Sequence, residues 1–128
     1  MPTRIVRILA SLAIVGLACH CGSSTPAANS ITISNFQYSP ANLSVKPGTT
    51  VTVSNEDPMQ HSLTSQTQLG MYVAGAVDGV SFDTGAFEGS TSFVIPSTAT
   101  PGTVIPYFCT VHTDTMGMGQ GQITIVAP

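Results

Sequence analysis

The feature that most constrains the fold is a set of short segments in which apolar and polar residues alternate. Residues 31–34, 50–54 and 122–126 read Ile-Thr-Ile-Ser, Thr-Val-Thr-Val-Ser and Gln-Ile-Thr-Ile-Val. A period of two places the apolar side chains on one face of a β-strand. Further segments have strand composition: residues 43–45, 62–64, 91–95 and 103–109.

These segments predict an all-β domain. No window shows a sustained helical stripe, and the chain contains 12 glycines and 9 prolines. About seven to eight short strands separated by turns indicate a β-sandwich or a small barrel. Residues 66–88 are the least regular part, where we expect a loop-rich crossover with one short strand near residues 71–73. Pro106 interrupts a strand pattern, which favours a bulge or an edge strand there.

The N-terminus is expected to be an export signal, residues 1–19, that precedes the domain. Two arginines come before an apolar run at residues 8–17, which is too short to span a bilayer comfortably. Small residues and Cys19 follow, in a pattern that resembles a bacterial lipoprotein cleavage box, although Gly16 stands where that box usually has leucine. We therefore predict lipidation of Cys19, with plain secretion after cleavage nearby as the alternative.

The remaining chain is expected to form a flexible linker, residues 20–30, and one domain, residues 31–128. After removal of the leader, Lys46 is the only Lys or Arg against six carboxylates. Phosphate binding needs clustered basic residues, so nucleic acid is excluded as a partner. We expect an exported monomer in the periplasm or cell envelope, attached to a membrane if Cys19 is lipidated.

Candidate metal ligands concentrate near the C-terminus. Cys109 is the only cysteine of the predicted domain, and His112 follows at Cys-x-x-His spacing, with Met116 and Met118 next. A thiolate, an imidazole and a weak thioether are three of the four donors of a blue-copper centre. The missing donor is a second imidazole, and His61 is the only candidate outside the leader region.

Other chemistry suits these residues less well. Structural zinc usually takes four strong donors, often in Cys-x-x-Cys pairs. A Cys-His nucleophile pair would need a third group that orients the imidazole, and none is evident. A binuclear copper centre would need a second cysteine close to Cys109.

The chain from about residue 31 to residue 127 resembles a cupredoxin of the plastocyanin, amicyanin and halocyanin group. Residues 36–40 (FQYSP) and 43–53 (LSVKPGTTVTV) are similar to the family's opening strands. Residues 55–64 (NEDPMQHSLT) are similar to the segment with its first copper histidine. Residues 107–112 (YFCTVH) and 121–125 (GQITI) are similar to its ligand loop and its final strand.

The resemblance implies a Greek-key β-sandwich with one type 1 copper ion at one end. It implies that His61 and His112 bind copper through imidazole nitrogen and that Cys109 binds through its thiolate. It also implies that the backbone N–H groups of Ser62 and Val111 donate hydrogen bonds to the copper-bound sulfur, which tunes the reduction potential.

The axial ligand departs from the family pattern. Relatives usually place a methionine four residues before the first apolar residue of the last strand, and Gly119 occupies that position here. Met118 is one residue away and is predicted as the axial ligand. Met116, four residues after His112, is the alternative.

The function implied by the resemblance is that of a non-enzymatic copper protein that passes single electrons between redox protein partners through the ring of His112. Two alternatives stay open. One is a periplasmic copper carrier or resistance protein, in which Met59, Met116 and Met118 form a soft Cu(I) surface. The other is a metal-free interaction sandwich that keeps only the fold.

Overall fold

The computed structural model describes residues 28–116 and 120–128. Within these ranges, eight strands form two four-stranded sheets. The elements are β1 (Ser30–Ser34), β2 (Gln37–Ser39), β3 (Asn42–Val45), β4 (Thr50–Asn55), β5 (Thr64–Ser65), β6 (Gly89–Val94), β7 (Val104–Phe108), α1 (Thr113–Met116) and β8 (Gly121–Ile125). The predicted leader, Cys19 and most of the linker lie outside the described residues. In the described part, no helix combines the length and apolarity needed to traverse a bilayer.

Each sheet pairs strands that are neighbours in sequence as well as strands that are distant in it. The first sheet has the order β2-β1-β4-β6 and the second the order β3-β8-β7-β5. The pairs β1–β4 and β3–β8 are parallel, whereas the other neighbours are antiparallel. Parallel neighbours cannot be joined by a tight hairpin, so the chain crosses between sheets. The predicted all-β sandwich is confirmed.

The core lies between the sheets and follows the alternation seen in the sequence. In β1, Ile31 and Ile33 are fully buried, while the residues between and around them are half-buried. The same alternation buries one face of β4 and β8, because successive side chains of a strand point to opposite sides. The fully or almost fully buried aliphatic residues of these strands and of β7 are Ile31, Ile33, Val51, Val53, Ile105, Ile123 and Ile125.

Strand pairing brings two distant chain segments to one end of the sandwich. The start of β5 lies beside the end of β7, because Thr64 pairs with Phe108 in an antiparallel ladder. His61 lies three residues before Thr64, and Cys109 directly follows Phe108. The register of this short ladder therefore sets the distance between the two residues.

The short strand predicted at residues 71–73 is wrong. The crossover at residues 66–88 is instead secured by single bridges, among them Gln66 to Ala74 and Val77 to Val80. The side chains of Met71 and Val73 are 53% and 62% exposed. A strand at this position would have no face buried against the core.

Pro106 lies in β7, which has β8 on one side and β5 on the other, but the ladder with β5 does not reach Pro106, in agreement with the edge predicted at this point. Pro106 is tolerated in this central strand because the β5 ladder is only two residues long and ends at Ser65, opposite Tyr107. Beyond that point, the Pro106 carbonyl accepts a hydrogen bond from the Gln66 N–H at 2.9 Å. The Pro106 carbonyl therefore has a hydrogen-bond partner, and the proline nitrogen needs none because it carries no hydrogen.

Candidate metal centre

His61 lies in the connection between β4 and β5, whose shape depends on the buried side chain of Asn55. The Asn55 amide donates to the carbonyl oxygens of Met59 at 2.8 Å and Phe87 at 3.2 Å, and its Oδ1 accepts the Asp57 N–H at 3.0 Å. His61 and Phe87 also exchange two backbone hydrogen bonds, at 3.2 and 2.9 Å. The His61 side chain is therefore held in place and completely buried.

Cys109 and His112 lie on the tight connection between β7 and α1. Cys109 is the first residue after β7 and is 1% exposed. The N–H groups of Thr115 and Met116 donate to the His112 carbonyl at 3.2 and 2.8 Å. The Cys-x-x-His spacing thus joins the end of a strand to the start of a helical turn, and each ligand is attached to a regular element.

The three predicted ligands meet in one place. Nδ1 of His61 lies 3.2 Å from Nδ1 of His112 and 3.8 Å from Sγ of Cys109. Ligand atoms of all three residues lie within 4.8 Å of one another. Lone-pair-bearing atoms at such distances need a shared proton or a cation. Because one soft thiolate with two imidazoles is the donor set of blue-copper centres, these residues fit copper.

Ser62 connects the two segments that carry the ligands. Its backbone N–H donates to Sγ of Cys109 at 3.4 Å, and its Oγ accepts the Thr110 N–H at 2.8 Å. The hydroxyl groups of Ser62 and Thr110 also lie 2.8 Å apart. Hydrogen bonds to a ligating sulfur tune its donor strength. The corresponding role of Val111 stays a prediction.

Comparison with known proteins identifies the family. Residues 26–126, most of the chain and all three candidate ligands, match the family described as copper binding proteins, plastocyanin/azurin family. The chain is a cupredoxin of this family.

Solved structures show the same fold. A purple cupredoxin from Nitrosopumilus maritimus is 25% identical, with a TM-score of 0.52 over 75% of this chain and 97% of that chain. A variant of amicyanin in its reduced Cu(I) form is 19% identical, with a TM-score of 0.54 over 80% of this chain and 86% of that one. A Cu-containing nitrite reductase from Thermus scotoductus SA-01 is also 19% identical, with a TM-score of 0.54, but only 23% of its chain is covered. No curated protein matches the sequence.

The structure of this cupredoxin reveals a contact that sequence reasoning missed. Oδ2 of Asp57 lies 2.9 Å from Nε2 of His61 and accepts the Phe36 N–H at 3.0 Å, while Oδ1 accepts the Asn35 N–H at 2.7 Å. These hydrogen bonds, above all the one from Phe36, hold the pKa of Asp57 below its usual value. The available signal was a carboxylate four residues before a candidate ligand.

Asp57 determines which ring nitrogen of His61 faces the centre. Burial lowers the pKa of His61, and this effect outweighs the hydrogen bond that the ring makes to Asp57, which acts in the opposite direction. The ring is therefore neutral at neutral pH. An ionised carboxylate can only accept hydrogen bonds, so the ring proton lies on Nε2 and Nδ1 keeps its lone pair. A metal ligand needs this neutral form.

Phe36 covers the two imidazoles of the cupredoxin site. Its ring lies edge-on to His61 and to His112, with centroid distances of 5.4 Å in both cases. Phe36 is partly buried and packs against the core cluster. The two histidines are therefore confined by an aromatic side chain as well as by hydrogen bonds.

Met116 ends α1 and is 1% exposed. It belongs to the same buried cluster as Cys109. Met118, the axial ligand predicted from the sequence, lies outside the described residues. Met116 thus provides a buried thioether one helical turn after His112 and two residues before the predicted position.

Proposed function

We propose that this cupredoxin carries single electrons between redox protein partners by means of one type 1 copper ion held by His61, Cys109 and His112. Copper bound by this donor set would supply the Cu(I)/Cu(II) couple. The observation that carries the proposal is the meeting of the three ligand atoms within 4.8 Å. Two of these residues are buried and the third is partly exposed.

The surroundings of the ligands favour this role because they hold each ligand before metal binds. The His61 ring is hydrogen-bonded to Asp57, the Cys109 sulfur accepts the Ser62 N–H, and the His112 carbonyl accepts the N–H groups of Thr115 and Met116 in α1. Ligands supported in this way move little between oxidation states. Small rearrangement is what rapid electron exchange requires.

We infer that Met116 supplies the axial thioether, instead of Met118. Its burial in the cluster that contains Cys109 supports this assignment. The same burial argues against the copper-carrier alternative, in which Met116 would form part of an accessible Cu(I) surface. Met59, the other described methionine of that alternative, is 38% exposed.

The exposure of the ligands also suggests the route of the electron. His61 and Cys109 are buried, whereas His112 is partly exposed. We propose that electrons enter and leave through the His112 ring, because this partly exposed ring can contact a redox partner. We also propose that the protein is not an enzyme. An exported location with lipidation at Cys19 is part of the same proposal.

The decisive experiment is copper reconstitution of the protein and of Cys109→Ser. The wild type should develop an intense thiolate-to-copper charge-transfer band, a type 1 electron-paramagnetic spectrum and reversible redox cycling. Cys109→Ser should lose the band while it keeps the β-sheet circular dichroism of the fold. Cys21→Ser makes the same chemical change outside the described site and should keep the colour. An unchanged band in Cys109→Ser would end the proposal.

A further inference from the structure

The contact between Asp57 and His61 carries a second inference, which rests on the proposed function. The side chains of His61 and Asp57 are 0% and 10% exposed, so the 2.9 Å contact is shielded from water. Such a contact is weakened by salt much less than a surface ion pair. We propose that Asp57 is a positioning residue that orients the His61 ring toward copper and lowers the reduction potential of the centre.

The orienting part follows from how the carboxylate is held. Oδ1 accepts the Asn35 N–H, Oδ2 accepts the Phe36 N–H, and the Asp57 N–H itself donates to Asn55. Rotation of the carboxylate would break the two bonds from Asn35 and Phe36, and the third bond holds the Asp57 backbone. An acceptor fixed in this way keeps Nε2 of His61 in one direction, and Nδ1 then points into the site. Partners of this kind set the tautomer and the basicity of a metal-ligating histidine.

The electrostatic part follows from charge. Reduction of bound copper removes one unit of positive charge from the centre. A fixed negative charge on the far side of the His61 ring therefore favours the oxidised state over the reduced state. Asp57 should lower the potential relative to the same ligands with a neutral acceptor.

The same carboxylate holds the aromatic cover. Asn35 and Phe36 have φ angles of 53° and 60°, a region that a bulky residue such as phenylalanine rarely adopts. Both of their N–H groups bind Asp57. Because Phe36 lies against both imidazoles, Asp57 stabilises the turn that places this ring over the ligands.

The test compares Asp57→Asn with Glu56→Gln by redox titration of the copper-loaded protein. Each variant removes one carboxylate. Glu56 is the control because it is exposed, and its hydrogen bond to the Ile33 carbonyl comes from its backbone N–H, which the substitution keeps. Asp57→Asn should shift the Cu(I)/Cu(II) balance toward Cu(I) about tenfold, which is about 59 mV in a one-electron couple. Glu56→Gln should shift it less than threefold. Equal shifts in the two variants would overturn the proposal.

A second measurement decides the question if Asp57→Asn does not fold. Nitrogen-15 spectra of the metal-free wild type should show the His61 proton on Nε2, in slow exchange with water. A proton on Nδ1, or fast exchange at Nε2, would overturn the proposal. This readout needs no copper, so it separates failure of the Asp57 proposal from failure of the copper proposal, which would appear as a wild type without a charge-transfer band.

Discussion

Nδ1 of His61 lies 3.2 Å from Nδ1 of His112, although 51 positions separate the two histidines in the chain. Sγ of Cys109 lies 3.8 Å from the first of these nitrogens. Three groups with lone pairs are thus held together by the fold itself. The three ligand atoms are therefore preorganised to bind a cation.

Copper should stabilise the folded protein strongly. A ligand that binds only the folded state adds about 4 kcal/mol at a free concentration a thousand times its dissociation constant. Thermal unfolding with and without copper should therefore show a large rise in the melting temperature for the wild type. Cys109→Ser should lose most of this rise, whereas Cys21→Ser should keep it. An equal rise in Cys109→Ser would show that copper binds elsewhere.

Met116→Leu should alter the copper spectrum and raise the reduction potential. The weak axial thioether helps to set the potential of a blue-copper centre, and leucine keeps the volume without the donor. Met118→Leu is the matched control and should leave both quantities close to those of the wild type. Electron-paramagnetic spectra and redox titration of the two variants give the answer. The reverse result would restore Met118 as the axial ligand.

Gly121→Ala should destabilise the domain by about 1–3 kcal/mol, the usual cost of overpacking a filled core. A Cβ at position 121 would collide with the Tyr107 hydroxyl group and with the Ala41 carbonyl oxygen. Chemical denaturation measures the change. Gln122→Ala, at the next and half-buried position, should cost less.

A double variant tests the collision with Tyr107. Tyr107→Phe removes the nearest atom but keeps the ring carbon Cζ, which a Cβ at position 121 would also meet, so the cost of Gly121→Ala should fall only in part in the Tyr107→Phe background. Strict additivity of the two changes would contradict the steric explanation.

Tyr107 should make the fold sensitive to alkaline pH. Burial raises the pKa of Tyr107 above its ordinary value of about 10. The folded state therefore keeps the proton to a higher pH than the unfolded state, and this contribution to stability is complete below about pH 10 and is lost as the pH rises further. Burial acts in the same direction on Tyr38, so Tyr107→Phe should reduce the alkaline loss without abolishing it.

The free energy of unfolding of the metal-free protein between pH 8 and pH 11 measures this effect. Tyr107→Phe also removes the hydroxyl that lies 3.3 Å from the Ala41 carbonyl oxygen, which should cost about 0.5–1.5 kcal/mol at neutral pH. Tyr72, 38% exposed on the crossover, provides the control for a tyrosine-to-phenylalanine change. A Tyr107→Phe curve parallel to that of the wild type would contradict the prediction.

Several features could be predicted because they are local. The alternation at residues 31–34 and 50–54 marks β1 and β4, since the side-chain period of a strand is two. The Cys109 and His112 spacing is local as well, and their chemistry limits the metals that they bind. Residues 71–73 were misjudged because an apolar run looks the same whether or not a core lies beneath it.

The amino-acid sequence by itself determined the strand pattern, the types of donor atoms and the family. Only the tertiary structure decided that Asp57 meets His61, that Phe36 covers both imidazoles and that Met116 is buried with Cys109. The physical reason is that side-chain alternation depends only on residues within one strand, whereas these contacts depend on which strands pair and in what register. Pairing of Thr64 with Phe108 is one such choice, and a slip of one residue would turn every following side chain to the opposite face.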